Sequence, residues 1–399
     1  MLILANYQLH FYKLYKRDKL KIALIQPAFA HYRKALFAAL HKNFDIRFVF
    51  LNYRNPYPSE SKVERGWNVT YLRSNGGILQ LFELFRNLFF INSDILITSI
   101  PTSLASSVSF FVSKIKNKKL ILWSLNWNLS YEHLNRSKAF RILFKLYYKF
   151  IAYHSDALIV PGKFSLKYHK SLGIKPEKIF VANQCSIDLQ KIQPNSSISM
   201  SDKPKDLKTI LYFGRITQRK GLDVLIHAFK KIELEIAKVQ LLVVGDGDFK
   251  NHCERLAEKF SIKNIKFLGS ISFENSADYF RRADVFVLPS LLRNNCEAWG
   301  LVINEAMSLG KAIVTTDAVG CSFDLVKNGF NGYIVKNGDS EELFNAIIRI
   351  LKSENCIKSM GANSRTIFES FNDYDKMFKG FMGAIFFSTN FLQSPNKLG

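Results

Sequence analysis

The sequence lacks the features of a disulfide-stapled, zinc-binding or membrane-spanning protein. Its 399 residues include five cysteines, none of them in a Cys-x-x-Cys pair, and this odd number fits a reducing compartment. No apolar run approaches the roughly 20 residues that cross a bilayer. The apolar start of residues 1–19 is too short for a secretory signal, and its charges follow the apolar part, which leaves an interfacial anchor or a disordered leader as alternatives. We therefore expect a cytoplasmic protein.

Acidic residues are scarce in the first half of the chain. Residues 1–200 hold 29 Lys and Arg against 10 Asp and Glu, and residues 201–399 hold 27 against 23. The net charge of +23 is therefore +19 in the first half and +4 in the second. A basic surface attracts nucleic acid, anionic lipid or phosphorylated substrates, although a solvated lysine-rich surface has the same composition.

Apolar runs of strand length alternate with segments of helix length in both halves of the chain. The predicted elements include strands at 119–123 and 239–244 and helices at about 32–41, at 300–309 and at 340–351. The chain is too long for one ordinary domain, and the alternation predicts two α/β domains, each with a parallel sheet covered on both faces. The stretch 194–207 is polar, rich in small residues and contains prolines, which is a linker composition. We therefore predict domains at 20–193 and 208–375, preceded by an extension at 1–19 and followed by a tail at 376–399.

Two predicted helices of the first domain are unusually apolar or basic. Residues 78–91 are apolar almost all round, which indicates burial, the commoner case, or contact with lipid. Residues 136–150 place four basic side chains along one face of a helix, with aromatic and aliphatic side chains beside or opposite them: Lys138, Arg141, Lys145 and Lys149. Such a helix is typical of a membrane interface, although an ordinary surface helix shows the same pattern.

The second half carries four spaced motifs. They are Phe213-Gly214-Arg215-Ile216-Thr217-Gln218-Arg219-Lys220-Gly221, Leu242-Val243-Val244-Gly245-Asp246-Gly247, Ile265-Lys266-Phe267-Leu268-Gly269, and the stretch from Cys296 to Met307. In the last of these, Glu297 and Glu305 stand eight positions apart, Glu297 in a loop and Glu305 on the helix that follows. A strand, a loop and a helix in this order form the place where open α/β sheets bind ligands, and the first N–H groups of the helix favour an anion.

These motifs resemble those of the retaining glycosyltransferases of family 4. The match is strong over about 205–350 and weak in the first half of the chain. The resemblance implies the α/β fold class GT-B, in which two doubly wound Rossmann-like domains face each other across a cleft. It also implies that the second domain binds a nucleotide-sugar donor and that the first domain faces the acceptor. By resemblance to this fold, the final helix is expected to cross back onto the first domain.

The resemblance assigns the chemistry to Arg215, Lys220 and Glu297. The two cations suit a diphosphate leaving group, because Arg binds phosphate as a fork and Lys supplies a point charge. Glu297 would bind hydroxyls of the donor sugar and is not assigned as a nucleophile. The remaining donor-binding candidates include Glu305, which would accept hydrogen bonds from the ribose: Gly214, Gly245, Gly247, Leu268, Trp299, Gly300, Leu301 and Glu305.

The acceptor side has weaker candidates. The loop after the first strand lacks glycine but carries a Pro-then-Tyr-Arg pattern that some family members share, which suggests three residues: His31, Tyr32 and Arg33. Family members often have a His after the strand at 119–123, and this chain has none at that place. We expect Asn126 to take a polar role there, with His133 as the alternative.

No metal is expected in the site. Asp246-Gly247-Asp248 spells the Asp-x-Asp of metal-dependent glycosyltransferases, but its context matches a glycine turn in a family that uses cationic side chains instead. Gly245-x-Gly247 is also an incomplete dinucleotide fingerprint that comes late in the chain, which argues against a dehydrogenase. The NDP-sugar donor is then a substrate, and no cofactor is implied.

The leading hypothesis is a metal-independent, retaining glycosyltransferase. It would move a sugar from a UDP- or GDP-linked donor to a lipid-linked or polysaccharide acceptor in the biosynthesis of lipopolysaccharide, capsule or exopolysaccharide. The basic first half predicts peripheral binding to an anionic membrane at its inner face. The alternative is a non-catalytic GT-B scaffold or regulator. Nucleic-acid binding has only the net charge in its favour, because no nucleic-acid module is recognisable. A glycan phosphorylase would be longer and carry a lysine-cofactor signature.

Overall fold

Two parallel sheets, one in each half of the chain, form the framework of the protein. The computed structural model describes residues 20–51, 63–74, 77–99, 104–127, 137–194, 204, 206–292 and 297–389. The extension at 1–19, most of the linker at 194–207, Cys296 and His133 lie outside these ranges. Helices cover both faces of each sheet, so the predicted α/β class with two doubly wound domains is confirmed.

The first sheet has seven parallel strands in the order β3-β2-β1-β4-β5-β6-β7. The strands are β1 Lys21–Gln26, β2 Asp45–Phe50, β3 Asn68–Tyr71, β4 Ile95–Thr98, β5 Lys119–Trp123, β6 Ala157–Val160 and β7 Ile179–Val181. The central strands β4 and β6 are buried throughout, as a sheet covered on both faces requires. Because the strand order reverses between β1 and β4, the crevice at their carboxyl ends is the topological switch point of this sheet.

Five α-helices belong to the described part of the first domain. They are α1 Lys34–Asn43, α2 Gly77–Phe90, α3 Leu104–Ile115, α4 Lys138–His154 and α5 Lys163–Ser171, and a 3-10 turn at His31–Arg33 precedes α1. Helices α2, α3 and α4 cover one face of the sheet and share one core cluster through Leu88, Phe110 and Ile151. Helix α1 covers the opposite face through Leu36, Phe37 and Leu40, side chains that recur at helical spacing.

The second sheet has six parallel strands in the order β10-β9-β8-β11-β12-β13. The strands are β8 Lys208–Phe213, β9 Val239–Val244, β10 Ile265–Phe267, β11 Val285–Leu288, β12 Ala312–Thr316 and β13 Gly332–Val335. The helices are α6 Leu222–Glu235, α7 Lys250–Lys259, α8 Phe273–Arg282, α9 Leu301–Ser308, α10 Ser322–Leu325, α11 Ser340–Leu351 and α12 Glu354–Phe371. The switch point of this sheet lies between β8 and β11.

The last described helix, α13 Tyr374–Ser388, returns to the first sheet. Phe381 is fully buried, and its ring meets Trp123 of β5 edge-on with 4.8 Å between the ring centroids. Gly380 allows close packing on β7, because a Cβ atom there would lie 2.4 Å from the carbonyl oxygen of Val181. The second half of the chain therefore completes the core of the first domain. No described helix combines the length and apolarity that crossing a membrane requires.

Candidate active site

The loops after β8 and β11 bring the charged candidates together at the switch point of the second sheet. Gly214 follows β8, and a 3-10 turn at Gln218–Lys220 follows that loop. Glu297 and helix α9 follow β11, the neighbouring strand. Gly245 directly follows β9 and has a φ of 133°, and a Cβ atom there would lie 1.9 Å from the Gly214 carbonyl oxygen. Only glycine lets these two backbones approach so closely.

Glu297 is held by two cations. Lys220 Nζ lies 2.6 Å from Glu297 Oε2, and Arg219 Nη1 donates to the same oxygen. The side chains of Glu297 and Lys220 are only 14% and 13% exposed. Burial alone would raise the pKa of Glu297, but Lys220 and Arg219 outweigh it and lower that pKa below its ordinary value. The carboxyl group is therefore an anion buried in a positive environment.

The sequence analysis did not identify Arg219 as a site residue. It did identify Arg215, but Arg215 does not pair with Glu297 as Lys220 does. The side chain of Arg215 is exposed, and it forms no ion pair among the described residues. Its backbone carbonyl accepts a hydrogen bond of 3.0 Å from the Tyr212 hydroxyl, which fixes the loop. The spacing of the motif could have identified Arg219, since a short turn that carries Lys220 also carries the residue before it.

Glu305 lies just beyond the first turn of α9 and has no paired cation. Its side chain is half-buried, and no hydrogen bond to its carboxylate is formed by the described residues. Burial raises the pKa of Glu305 to about 7. Two carboxyl groups eight positions apart thus have opposite environments, one neutralised by cations and one left as an unused acceptor.

The other donor-side candidates shape the site mainly through their backbone atoms and less through their side chains. Trp299 is buried, donates from Nε1 to Asn304 Oδ1 at 3.1 Å and stacks on Phe371, so its ring belongs to the core. Gly300 precedes α9 with a φ of 91°, a left-handed conformation that glycine adopts without strain. The side chain of Leu301 is half-buried. A Cβ atom on Gly247 would lie 2.2 Å from the Ile216 carbonyl oxygen, and the side chain of Leu268 is 37% exposed.

Side chains of the first domain reach the same place. Trp127 Nε1 donates to the backbone carbonyl of Glu297 at 3.0 Å. Asp324 of α10 accepts from the Lys163 N–H at the start of α5, at 3.1 and 3.3 Å to its two oxygens. The rings of Phe164 and Phe323 stack beside this contact, 4.2 Å apart. The two domains therefore touch next to Glu297.

The acceptor-side candidates lie on two loops at the carboxyl edge of the first sheet. His31 packs against Phe273 of the second domain with 4.7 Å between ring centroids, and burial lowers the pKa of His31. The carbonyl of Tyr32 accepts from the Tyr374 hydroxyl at 3.1 Å. Arg33 is buried, with its guanidinium 4.4 Å from the centroid of the Trp123 ring. Asn126 follows β5, and its carbonyl accepts from Ser165 Oγ at 2.6 Å.

The Asp-x-Asp sequence forms no ligand cluster. Asp246 and Asp248 are exposed, and Asp246 Oδ1 accepts from the Gly247 N–H at 2.7 Å. Within the described ranges, no three His, Cys, Asp or Glu side chains are grouped so that they could hold a metal ion. The cationic loop from Arg215 to Lys220 is the concentration of positive charge at this switch point.

Residues 196–367 match the family of glycosyl transferases group 1. An uncharacterized glycosyltransferase of Methanocaldococcus jannaschii is 25% identical over 332 residues, which cover 82% of this chain and 86% of that protein. Phosphatidyl-myo-inositol mannosyltransferase of Mycobacterium leprae is 31% identical over 163 residues, 40% of this chain and 41% of that protein. The crystal structure of Anabaena HepE in complex with UDP and glucose has the same fold, with a TM-score of 0.71 at 18% identity over 92% of this chain and 99% of that chain.

Proposed function

We propose that this chain, which has the two-domain GT-B fold and matches the glycosyl transferases group 1 over residues 196–367, transfers a sugar from a UDP- or GDP-linked donor to a lipid-linked glycan or a polysaccharide. The acceptor would belong to surface glycan assembly, as in lipopolysaccharide, capsule or exopolysaccharide. The observation that carries this proposal is the buried Glu297–Lys220–Arg219 cluster at the switch point, together with the half-buried carboxyl group of Glu305 on the helix that follows Glu297. The likeness in fold to HepE, which was crystallised with UDP and glucose, supports the nucleotide.

The cluster suits a leaving diphosphate. The diphosphate gains negative charge as the glycosidic bond breaks, and preorganised cations lower that barrier. Lys220 and Arg219 are already gathered around one carboxylate, and Arg215 is exposed on the same loop. Three basic side chains on six residues supply the charge that a divalent metal supplies elsewhere, so we infer transfer without a metal ion.

We propose that the anomeric configuration is retained, and the state of Glu297 supports this. A carboxylate that shares one oxygen between two cations is a weak nucleophile, and its lowered pKa makes it a poor general base. Glu297 suits the binding of sugar hydroxyls, which are hydrogen-bond donors. We infer front-face substitution, in which the leaving phosphate oxygen takes the proton of the acceptor hydroxyl. Glu305, with a free acceptor carboxylate, suits the ribose hydroxyls.

The outer surface of α2, α3 and α4 supports a lipid-linked acceptor. Twelve large apolar side chains on these helices are between 44% and 84% exposed: Ile78, Leu79, Phe82, Phe90, Phe111, Ile115, Phe140, Ile142, Leu143, Leu146, Phe150 and Tyr153. Six basic residues accompany them: Arg86, Lys114, Lys138, Arg141, Lys145 and Lys149. The three helices contain one acidic residue, Glu83, whose carboxylate is engaged by the N–H groups of Arg73 and Ser74.

This three-helix surface has the composition of an interfacial membrane anchor. An apolar face rimmed by cations inserts into the headgroup region, and each Lys or Arg near an anionic surface contributes about 1 kcal/mol. Helix α2 buries only one stripe, including Leu84 and Leu88, so the burial expected for an all-round apolar helix is partial. The relative from M. leprae is named for phosphatidyl-myo-inositol, a lipid, which supports a lipid-linked acceptor. We propose that the protein binds peripherally at the inner membrane face.

Donor binding tests the proposal directly. Thermal shift and sugar release are measured with UDP-, GDP- and ADP-sugars, with and without EDTA, for the wild type, Lys220→Ala and the exposed control Lys263→Ala. We expect one nucleotide to stabilise the protein by mass action, insensitive to EDTA, with loss of the shift only in Lys220→Ala. The absence of any shift or sugar release in the wild type would contradict the proposal. Stabilisation without transfer to any acceptor would favour the scaffold alternative.

A further inference from the structure

Nitrogen donors without acceptors are buried together at the switch point of the first sheet. Gln26 ends β1, Trp123 ends β5, and Arg33 lies on the 3-10 turn that follows β1. Arg33 Nη1 donates to Gln26 Oε1, and the guanidinium lies over the Trp123 ring at 4.4 Å. Arg33 Nε, Gln26 Nε2 and Trp123 Nε1 have no acceptor among the described residues, and neither does the hydroxyl of Ser99, which follows β4. We call Gln26, Arg33, Ser99 and Trp123 the Arg33 site.

The Arg33 site also carries an uncompensated positive charge. Arg33 is 8% exposed, and the described residues include no acidic partner within ion-pair distance of it. The first turn of α1, which begins after Arg33, has no acidic residue either. The faces of Trp123 and Tyr32 attract the cation but accept no hydrogen bond from the edge of the guanidinium. Buried charges and donors are normally satisfied, so a cluster that is not marks a place where a ligand supplies the acceptor.

We propose that the Arg33 site binds an anionic group of the acceptor substrate, a phosphate or a carboxylate. This inference rests on the proposed function, in which the first domain faces the acceptor. A guanidinium edge, an amide, an indole N–H and a hydroxyl offer several donors and one positive charge, which an oxyanion with several acceptor oxygens satisfies. The crevice between β1 and β4 is where an open sheet of this order binds its ligand.

The anion belongs to the acceptor because the donor diphosphate has cations of its own. Lys220 and Arg219 lie at the switch point of the second sheet, whereas the Arg33 site lies at that of the first. His31, two residues before Arg33, contacts Phe273 of the second domain, so the loop borders the cleft between the domains. A lipid phosphate and an acidic sugar share the required oxyanion chemistry, and the choice of probe distinguishes them.

Binding of three probes tests the inference. Decyl phosphate represents a lipid phosphate, methyl glucuronide represents an acidic sugar, and decyl maltoside is the neutral control. Affinities are measured by titration calorimetry for the wild type, Arg33→Gln and Lys42→Gln, which removes an exposed cation from the other end of α1. We expect one anionic probe to bind at least about tenfold more tightly than the neutral one, with loss of that preference in Arg33→Gln only. No preference for either anion in the wild type would overturn the inference.

Stability measurements separate binding from a structural role of Arg33. The variant Arg33→Gln removes a buried charge that has no ion pair, so its melting temperature without ligand is expected to equal or exceed that of the wild type. A large fall with unchanged anion binding would overturn the inference. Ser99→Ala removes a single hydroxyl and gives a second variant, expected to weaken anion binding several-fold at an unchanged melting temperature.

Nucleotide binding distinguishes a failure of this inference from a failure of the proposed function. The thermal shift with the UDP- or GDP-sugar is expected to be the same in Arg33→Gln as in the wild type, because the donor cations are untouched. If no nucleotide binds the wild type, the proposed function fails. If a nucleotide binds and neither anionic probe does, the Arg33 site alone is wrong.

Discussion

Burial shifts the pKa of the Glu305 carboxyl group, and the direction of this shift predicts how the stability of the protein depends on pH. Burial raises its pKa from 4.5 to about 7 in the folded protein, so the unfolded chain loses this proton first as the pH rises. The unfolded state then binds fewer protons, and the free energy of unfolding falls as the pH rises from 4.5 through about 7.

Replacement of Glu305 by Gln isolates this effect, because the neutral amide cannot titrate. We expect the melting temperature of the wild type to fall more than that of Glu305→Gln between about pH 5 and about pH 8. Thermal denaturation of both proteins at the two pH values provides the measurement. Equal falls would show that Glu305 ionises normally in the folded protein.

Arg219 controls the protonation of Glu297 together with Lys220. In Arg219→Gln one cation is removed while the burial of Glu297 remains, so the pKa of Glu297 rises. If ionised Glu297 is needed for donor binding, the acid limb of the pH–rate profile moves to higher pH in Arg219→Gln. The matched variant is Arg215→Gln, whose side chain is exposed and does not contact Glu297. A shift in the Arg215 variant alone would contradict the assignment.

The motif from Phe213 to Gly221 shows what sequence reasoning supplies at the scale of residues. It predicts which residue types gather at the end of β8, because glycine and cations at that spacing suit a phosphate. It does not predict that Arg219 and Lys220 share one oxygen of Glu297, since that depends on the 3-10 turn at Gln218–Lys220 and on the path of a second loop. The carboxylate and its partner loop are 78 residues apart in sequence.

Elements bounded by a clear change of pattern were predictable. The strands β5 Lys119–Trp123 and β9 Val239–Val244 and the helix α11 Ser340–Leu351 have the bounds that their apolar patterns predict. The motif helix begins at Leu301, one residue later than predicted, because Gly300 adopts a left-handed conformation. The helix predicted to start near Tyr32 is preceded by a 3-10 turn that begins at His31, a distinction that hydrophobic spacing does not encode.

The contact between α5 and α10 predicts how the two domains cooperate. Asp324 caps α5 across the domain boundary, and burial raises the pKa of its carboxyl group although Lys163 opposes that rise. Loss of a helix cap costs about 1 kcal/mol, and here that cost would weaken the contact between the two domains. We therefore expect Asp324→Ala to lower the acceptor-dependent transfer rate about fivefold while donor affinity is unchanged.

The control for Asp324→Ala is a cap inside one domain. Asp339 accepts from the N–H groups of Glu341 and Glu342 at the start of α11, at 3.0 and 2.9 Å. Asp339→Ala is expected to lower the melting temperature by about 2–4 °C with an unchanged transfer rate per folded molecule. Steady-state kinetics and thermal denaturation of both variants distinguish an effect of the contact between the domains from the general effect of losing a helix cap. Equal kinetic effects in the two variants would show that the contact across the domains has no special role.

At the scale of the whole molecule, the sequence indicated the charge asymmetry but not the shape of the surface that carries it. Residues 78–91 and 136–150 were each ambiguous between core and interface, because one helix alone does not show which of its sides faces a neighbour. Packing resolves this, since one side of α2 and of α4 joins a core cluster that includes Leu88 and Ile151, while the apolar side chains of the three-helix surface stay exposed. The sequence indicated Arg33 as an acceptor-side candidate but not the other members of the Arg33 site, because they lie at the ends of β1, β4 and β5, three separate parts of the chain.

Flotation with lipid vesicles tests the three-helix surface. Lys145→Glu/Lys149→Glu reverses two exposed charges on α4, and Lys259→Glu/Lys263→Glu makes the same change in net charge on the second domain. Because each cation near an anionic surface contributes about 1 kcal/mol, the α4 variant is expected to bind anionic vesicles at least about tenfold less than the wild type, and the control variant nearly as well as the wild type.

A third variant, Leu143→Ser/Leu146→Ser, keeps the charge but removes side chains that are 65% and 56% exposed, so it loses insertion at every salt concentration. Equal binding to vesicles with and without anionic lipid would contradict the membrane surface. A dimer that only the leucine variant disrupts would also contradict it. Either result would mean that these helices contact another protein surface instead of a membrane.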